Sequence, residues 1–342
     1  MLSEGIIVDV ACGGGIPLIE ACRATGKRGV GIELNPERAA LAQKEVHDSG
    51  LPVEVFCEDG VNTSILKDDE AVAVLLYDPE RPLSGGSSHY DGLQPSIESI
   101  IVAWAPRLTE DAAILFDLPP RFSQEDQLRV ETLVDNYLDQ RATCWSFLSR
   151  GASRVDRLML HVGPTAGDGN RRCIRLLPGG AAYELTGQKE EMPEGSKAPV
   201  AIGDLLGLVD ATIPVAKLWN SWTSKHHVDG WIVQTGRRPT IRFKQWPTAT
   251  DSFLIDGGIV IDIQSKEPLD EAMEGLLSAC HENNLAGALL RANIPPEIHS
   301  DFQRTLDVAG GEGRRDAVII DLPHPENPQL VLLDRSRSGT LD

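Results

Sequence analysis

The first half of the chain alternates short apolar runs with longer stretches of helical periodicity. Apolar runs lie at residues 6–10, 29–33, 52–57, 71–77 and 112–118. Between and after them, residues 16–25, 36–47, 94–105 and 124–138 repeat apolar positions three and four apart, as one buried helical face requires. Continuous apolar strands flanked by helices predict a parallel sheet covered on both faces. Two more runs, 142–147 and 154–162, have only the loop 148–153 between them. That loop is too short for a parallel crossover, so these two strands should form an antiparallel hairpin. The expected fold is α/β, a parallel sheet closed by a terminal antiparallel hairpin.

Residues 163–170 are rich in Gly with Pro and Thr and read as a boundary, dividing the chain into domains 1–163 and 164–342. Beyond it the pattern is less regular. Strands are expected at 171–177, 182–185, 253–256, 258–263, 285–291, 317–321 and 330–333, and helices at 202–217, 269–282 and 296–306. The polar stretch 186–199 reads as a loop. This second domain is α+β.

Composition narrows the function. Lys+Arg number 32 against 51 Asp+Glu, a net charge of −19, which excludes a generally basic nucleic-acid binder but not a local basic patch. Salt adaptation produces a similar acidic, Lys-poor surface. Residues 1–145 carry 11 basic and 25 acidic side chains, net −14, and the remainder 21 and 26, net −5. No apolar run spans a bilayer, and no basic, then apolar leader opens the chain. The six cysteines are scattered, with no C-x-x-C pair and no His at ligand spacing. Reduced thiols in a cytoplasmic protein without structural metal or membrane contact are expected.

The segment Asp9-Val10-Ala11-Cys12-Gly13-Gly14-Gly15 sits between a strand and a helix. Glycine lets the backbone approach a ligand, and the helix start offers free N–H groups. A glycine cluster alone is weak evidence, but three acids at successive strand ends add to it. Asp9 stands where a pyrophosphate would meet an unfavourable negative charge. Glu33 ends the second strand, where a carboxylate takes ribose hydroxyls. Asp59, after Glu58, follows the third, where an acid accepts from an adenine amino group. A cationic nucleoside suits this set better than a dinucleotide, and a nicotinamide-dependent dehydrogenase is the least favoured class.

These motifs resemble the class I S-adenosylmethionine-dependent methyltransferases, over residues 5–162 in order. Asp9–Gly15 resembles the first cofactor motif, Gly31-Ile32-Glu33-Leu34-Asn35-Pro36 the second, and Glu58-Asp59-Gly60 the adenine-side turn. The resemblance implies a Rossmann-like, seven-stranded sheet and S-adenosyl-L-methionine as cofactor. Asp9, Cys12, Gly13 and Gly15 would then serve the methionine end, Glu33 the ribose and Asp59 the adenine. It also implies a substrate-facing motif at Tyr77-Asp78-Pro79-Glu80-Arg81-Pro82. There Asp78 would touch cofactor and acceptor or take the acceptor's proton, and Arg81 would pair with a phosphate. The Asn/Asp-Pro-Pro-aromatic tetrad of exocyclic amine methylation is absent. With Gln94-Pro95 and the loose motifs of the second half, the likeness extends to methyltransferases with a C-terminal THUMP-like domain, which implies an RNA acceptor, tRNA above other classes. Relatives carry a helical segment before the first strand, and five residues stand there in this chain, so weak or absent activity is a second expectation.

Charge placement supports RNA independently. Residues 150–175 hold six Arg and two Asp. Residues 217–246 hold Lys217, Lys225, Arg237, Arg238, Arg242 and Lys244 against Asp229, with Trp219, Trp222, Trp231 and Trp246 among them. Cations meeting phosphates and rings stacking on bases suit a nucleic-acid strand, with Arg237, Arg238, Arg242, Lys244 and Trp231 as contacts. The alternative for the tryptophans is a core face. The leading function is an RNA methyltransferase. An inactive cofactor-binding RNA module and a small-molecule methyltransferase are the alternatives.

Overall fold

Every apolar run of the first half becomes a strand. The computed structural model describes residues 4–80, 90–151, 154–247, 253–309, 315–323 and 327–335. In chain order the elements are β1 (Ile6–Asp9), α1 (Ile16–Thr25), β2 (Gly29–Glu33), α2 (Pro36–Ser49), β3 (Val53–Cys57), β4 (Val72–Tyr77), α3 (Ile97–Trp104), β5 (Leu108–Leu118), α4 (Gln124–Tyr137), β6 (Thr143–Ser149), β7 (Arg157–Val162), β8 (Arg171–Leu176) and β9 (Ala182–Gly187). Local chemistry sets the helix ends. Asn35 accepts from the N–H groups of Glu37 and Arg38 to cap α2, and Ser123 with Asp126 forms a capping box on α4.

These strands form one sheet in the order β3-β2-β1-β4-β5-β7-β6-β8-β9. The first five are parallel, and β7 pairs antiparallel with both β5 and β6. The hairpin is therefore present, but two expectations need correction. It does not close the sheet, and the strand count is nine rather than seven. Placing β7 inside leaves the outer edge of β6 open. The chain returns to it after residue 163, with the Trp145 N–H donating to the Asn170 carbonyl at 3.1 Å. Correspondingly, the chain does not divide in a single cut after residue 163. One compact unit comprises Met1–Leu148, Val155–Ile174 and Thr186–Gln188, and the other Ser149–Arg154, Arg175–Leu185 and Lys189–Asp342.

The second unit continues with β10 (Leu205–Val209), α5 (Thr212–Ala216), α6 (Trp219–Thr223), β11 (Val228–Val233), β12 (Thr240–Phe243), β13 (Leu254–Ser265), α7 (Leu269–Glu282), β14 (Ala288–Arg291), α8 (Pro296–Ala309), β15 (Ala317–Leu322) and β16 (Gln329–Asp334). Its sheet runs β11-β12-β10-β13-β16-β15-β14. Along β15, Ala317 and Ile319 pack with Met273 and Leu276 of α7 and Leu306 of α8. Val318 and Ile320 pack on the other face with Leu206, Leu208 and Val260. Strands buried on both faces read as unbroken apolar runs.

Two expectations for this unit fail. The helix expected over 202–217 is strand β10 followed by the short α5. The Leu-Leu-Gly-Leu-Val run is apolar at every position, and periodicity cannot distinguish strand from helix there. At Gly207 a Cβ would lie 2.6 Å from Leu254 and 2.7 Å from Phe243, so a side chain there would have to displace these neighbours. The two strands expected at 253–256 and 258–263 are one long β13, and Gly257-Gly258 does not interrupt it. Among the described residues no helix is long and apolar enough to cross a membrane.

Candidate functional site

The parallel strands of the first unit end on one cavity. It holds about 530 Å³ and is lined by the turn after β1, the residues following β2, β3 and β4, and Gln94-Pro95. This volume lies within the range of small-molecule sites. The cavity stands outside the carboxyl ends of the strands. There β1 continues to β2 on one side and is flanked by β4 on the other, the crevice where open α/β sheets bind ligands.

The β1 turn is shaped by backbone constraints. Gly13 and Gly15 have φ of 53° and 79°, a left-handed conformation that glycine adopts without strain. The Cys12 N–H donates to Ile32 O and the Gly15 N–H to Cys12 O, folding the turn back onto β2. Gly13 and Gly14 line the cavity with Asp9 and Cys12. Gly15, the N-cap of α1, shapes the turn without lining the cavity. Gly60 is fixed by contact, because a Cβ there would lie 2.3 Å from the Val10 carbonyl oxygen. With the Trp104 Nε1–H donating to Gly60 O at 2.7 Å, the segment bearing Asp59 is held against the end of β1.

The acids expected from the sequence converge. Asp9 is 2% exposed and accepts from the Ala11 N–H at 3.2 Å. Burial raises its carboxyl from 3.8 to about 7; the Ala11 hydrogen bond pulls it down, and Asp78 and Glu33 push it up. Burial likewise raises the Cys12 thiol, with Asp9 and Glu33 adding to it, so it is a neutral wall. Glu33 is buried, and its two oxygens accept from Gly13 N–H at 2.9 Å and Asn35 N–H at 2.8 Å. It thereby ties the glycine turn to β2. A carboxylate has about four acceptor sites, so each oxygen keeps capacity for a hydroxyl. Asp59 and Asp78 are exposed and line the cavity. Arg81 lies outside the described residues.

Sequence reasoning gave no role to two lining residues. Leu34 is 72% exposed, an apolar surface beside the Glu33 carboxylate. The sequence signal was available, an apolar residue directly after the strand-end acid. Arg38, on the first turn of α2, pairs with Glu80 at 3.1 Å, a contact that only the fold brings about. Among the described residues the lining therefore carries five carboxylates, Asp9, Glu33, Asp59, Asp78 and Glu80, against the guanidinium of Arg38. It favours a cation and opposes a phosphate.

The contacts expected in the second unit fare differently. Trp231 is 3% exposed and stands 6.2 Å from the Trp222 ring. Trp222 also meets His226 and Phe243, and Phe243 meets Trp246. Trp219, Trp222 and Trp246 are buried too. The four indoles are core, which corrects the expectation that Trp231 stacks on a base. Arg242 is 7% exposed. It donates to the carbonyls of Ala198 and Pro199 at 3.1 and 2.8 Å and pairs with Asp204 at 3.2 Å. It holds a loop and is not a surface cation. Arg237 and Lys244 are exposed, and Arg238 is half-buried beside Asp321 at 3.7 Å. Among the described residues no three His, Cys, Asp or Glu side chains gather to hold a metal ion.

No protein-family model matches the chain, and no curated protein matches it in sequence. Solved structures do match. A rRNA methylase from Streptococcus thermophilus is 14% identical, covering 47% of this chain and 89% of that one, with a TM-score of 0.36. Precorrin-6y C5,15-methyltransferase from Geobacter metallireducens is 12% identical over 48% of this chain and 81% of that one, TM-score 0.35. A methyltransferase from Streptococcus mutans, solved with SAH, is 8% identical over 48% and 90%, TM-score 0.34.

Proposed function

We propose that the chain is an S-adenosyl-L-methionine-dependent methyltransferase acting on RNA. The observation that carries the first part is the cavity itself, at the strand ends, with five carboxylates against one guanidinium among the described residues. A dinucleotide would bring a pyrophosphate into that field, whereas S-adenosylmethionine brings an ammonium and a sulfonium. The donor supplies an electrophilic methyl group, and the rest falls to the chain's own residues. Asp9, buried and poised to ionise, receives the ammonium, and the Gly13-Gly14 backbone lets the methionine end approach. Glu33 accepts from the ribose hydroxyls through the lone pairs that Gly13 and Asn35 leave free. Leu34 covers one face of the base and Asp59 accepts from its amino group. Cys12, held neutral, adds wall without charge. Asp78 orients the acceptor at the cavity mouth by accepting a hydrogen bond. Arg81 keeps its expected part as a partner for an acceptor phosphate. Rate then comes from alignment of nucleophile and methyl carbon, without a covalent intermediate.

The RNA part rests on cations of the second unit, the region of the THUMP-like resemblance. Arg237 and Lys244 are exposed in a protein of net charge −19. With Trp231 and Arg242 assigned to the core, the support is phosphate contact rather than base stacking. The test is transfer of tritiated methyl groups from S-adenosylmethionine to total cellular RNA by the full chain. Label that precipitates with RNA and is released by ribonuclease is expected. Label only in small molecules would remove RNA as acceptor and keep the transferase. Donor binding with no transfer to any fraction would leave a cofactor-binding module.

A further inference from the structure

In the second unit, two carboxylates hold four cations from separate strand ends. Asp256 of β13 is completely buried. Its Oδ2 accepts from Arg291 Nε at 2.9 Å, and its Oδ1 stands 3.0 Å from Arg335 Nε. Asp321 of β15 lies 3.4 Å from Lys266 Nζ and 3.7 Å from the Arg238 guanidinium. Lys266 also donates to the Asn293 carbonyl at 2.6 Å. In the sheet register Arg291 stands opposite Ile320, the neighbour of Asp321, which brings the two pairs together. Arg238 has its pKa lowered, first by burial, and the charges of Arg237 and Arg291 lower it further while Asp321 opposes them. Arg237 beside them is exposed.

The layering is informative. The Asp256 side chain is 0% exposed and that of Asp321 17%, while the four cations retain 20–29%. The acids lie beneath and the cations face water, five of them counting Arg237 against two carboxylates among the described residues. An ion-pair network serving stability alone would balance its charge, and exposed pairs add little to stability. Arg291 uses only Nε on Asp256, so its two terminal amino groups have no acceptor among the described residues. The Arg238 guanidinium makes no hydrogen bond among them, only the long ion pair. Arg335 Nη1 donates to the Arg315 carbonyl at 3.0 Å, whereas the Arg238 and Arg291 guanidinium groups, fixed from below with donors unspent, match the oxygens of a phosphate. A single small anion would engage one fork. Cations spread over several strand ends suit successive phosphates of a polymer.

We propose that Arg237, Arg238, Lys266, Arg291 and Arg335 form a phosphate-binding plate that takes the backbone of the RNA acceptor, an assignment that rests on the RNA reading above. The experiment is fluorescence anisotropy of the full chain with a fluorescein-labelled RNA hairpin over a series of KCl concentrations. Three phosphates engaged would make log affinity fall with log salt at a slope of about −2 to −3. Arg237→Glu changes an exposed residue that makes no ion pair among the described residues, so its fold is not at issue. It should weaken binding about tenfold and flatten the slope by about 1. Arg238→Gln with Arg291→Gln should weaken it further, with thermal melting confirming the fold. Lys197→Glu, the same charge change on an exposed side chain elsewhere in the unit, should leave affinity unaltered. Equal weakening by Lys197→Glu, or none by Arg237→Glu, overturns the plate and leaves RNA binding standing. No binding by the unsubstituted chain overturns both the plate and the RNA reading. Saturable competition by micromolar inorganic phosphate at constant ionic strength would mark a small-anion site instead, and would also overturn the assignment.

Discussion

Asp9→Asn is expected to make the first unit more stable near neutral pH while nearly abolishing donor binding. The carboxyl is 2% exposed. Burial raises it from 3.8 to about 7, against the pull of the Ala11 hydrogen bond and with the push of Asp78 and Glu33. Between those values the folded state keeps a proton that the unfolded state releases. Stability therefore falls as pH rises from about 4 to about 7 and is flat above. A shift of about three pKa steps at 1.36 kcal/mol each amounts to roughly 4 kcal/mol lost at neutral pH. The amide removes that loss. Calorimetry should show the variant melting well above the parent at about pH 8, with the difference shrinking towards pH 4. A difference independent of pH would contradict this origin. Donor affinity should fall about a hundredfold, because a buried partner for the ammonium is gone. Stability given up at a binding site is a common trade-off. Here it has a named group and a sign.

Trp222→Ala is expected to destabilise the second unit by about 3–5 kcal/mol, as for a large aromatic removed from a packed core. The ring is 1% exposed and packs against His226, Trp231 and Phe243. Urea denaturation should move the midpoint to lower concentration with the slope retained. Under conditions where the variant stays folded, its affinity for RNA should match the parent. A variant of unchanged stability that loses RNA binding would return the indoles to a stacking role.

The two units differ in how much their sequence reveals, and the difference is physical. In the first unit the site is locally encoded. Each strand ends in its own acid, and the glycines of the β1 turn sit beside Asp9, so position along the chain already gives position around the cavity. Leu34 was legible in principle, since it directly follows the strand-end acid Glu33, whereas Arg38 meets Glu80 only through the fold. In the second unit the informative contacts are distant in sequence. Arg242 finds its acceptors 44 and 43 residues away at Ala198 and Pro199, and nothing near it in sequence marks it as buried. The tryptophans lie among cations along the chain, yet the fold turns the rings inward and leaves Arg237 and Lys244 outside. Strands β11 and β12 escaped notice because they are short and Gly230 breaks the apolar run. The β10 segment lacked any polar position to set a period. The proposed arginine plate needed the fold most, because Arg291 and Arg335 come together on Asp256, and Arg238 comes to Asp321, across long sequence separations.

The central claim is that the strand-end cavity of the first unit binds S-adenosylmethionine through its carboxylates. Isothermal titration of the full chain with S-adenosylmethionine, beside Glu33→Ala and with NADH as the competing ligand class, tests it most directly. One site per chain for S-adenosylmethionine, binding lost in Glu33→Ala, and no heat with NADH is the predicted result. NADH binding at the same site, or donor affinity indifferent to Glu33→Ala, would contradict it.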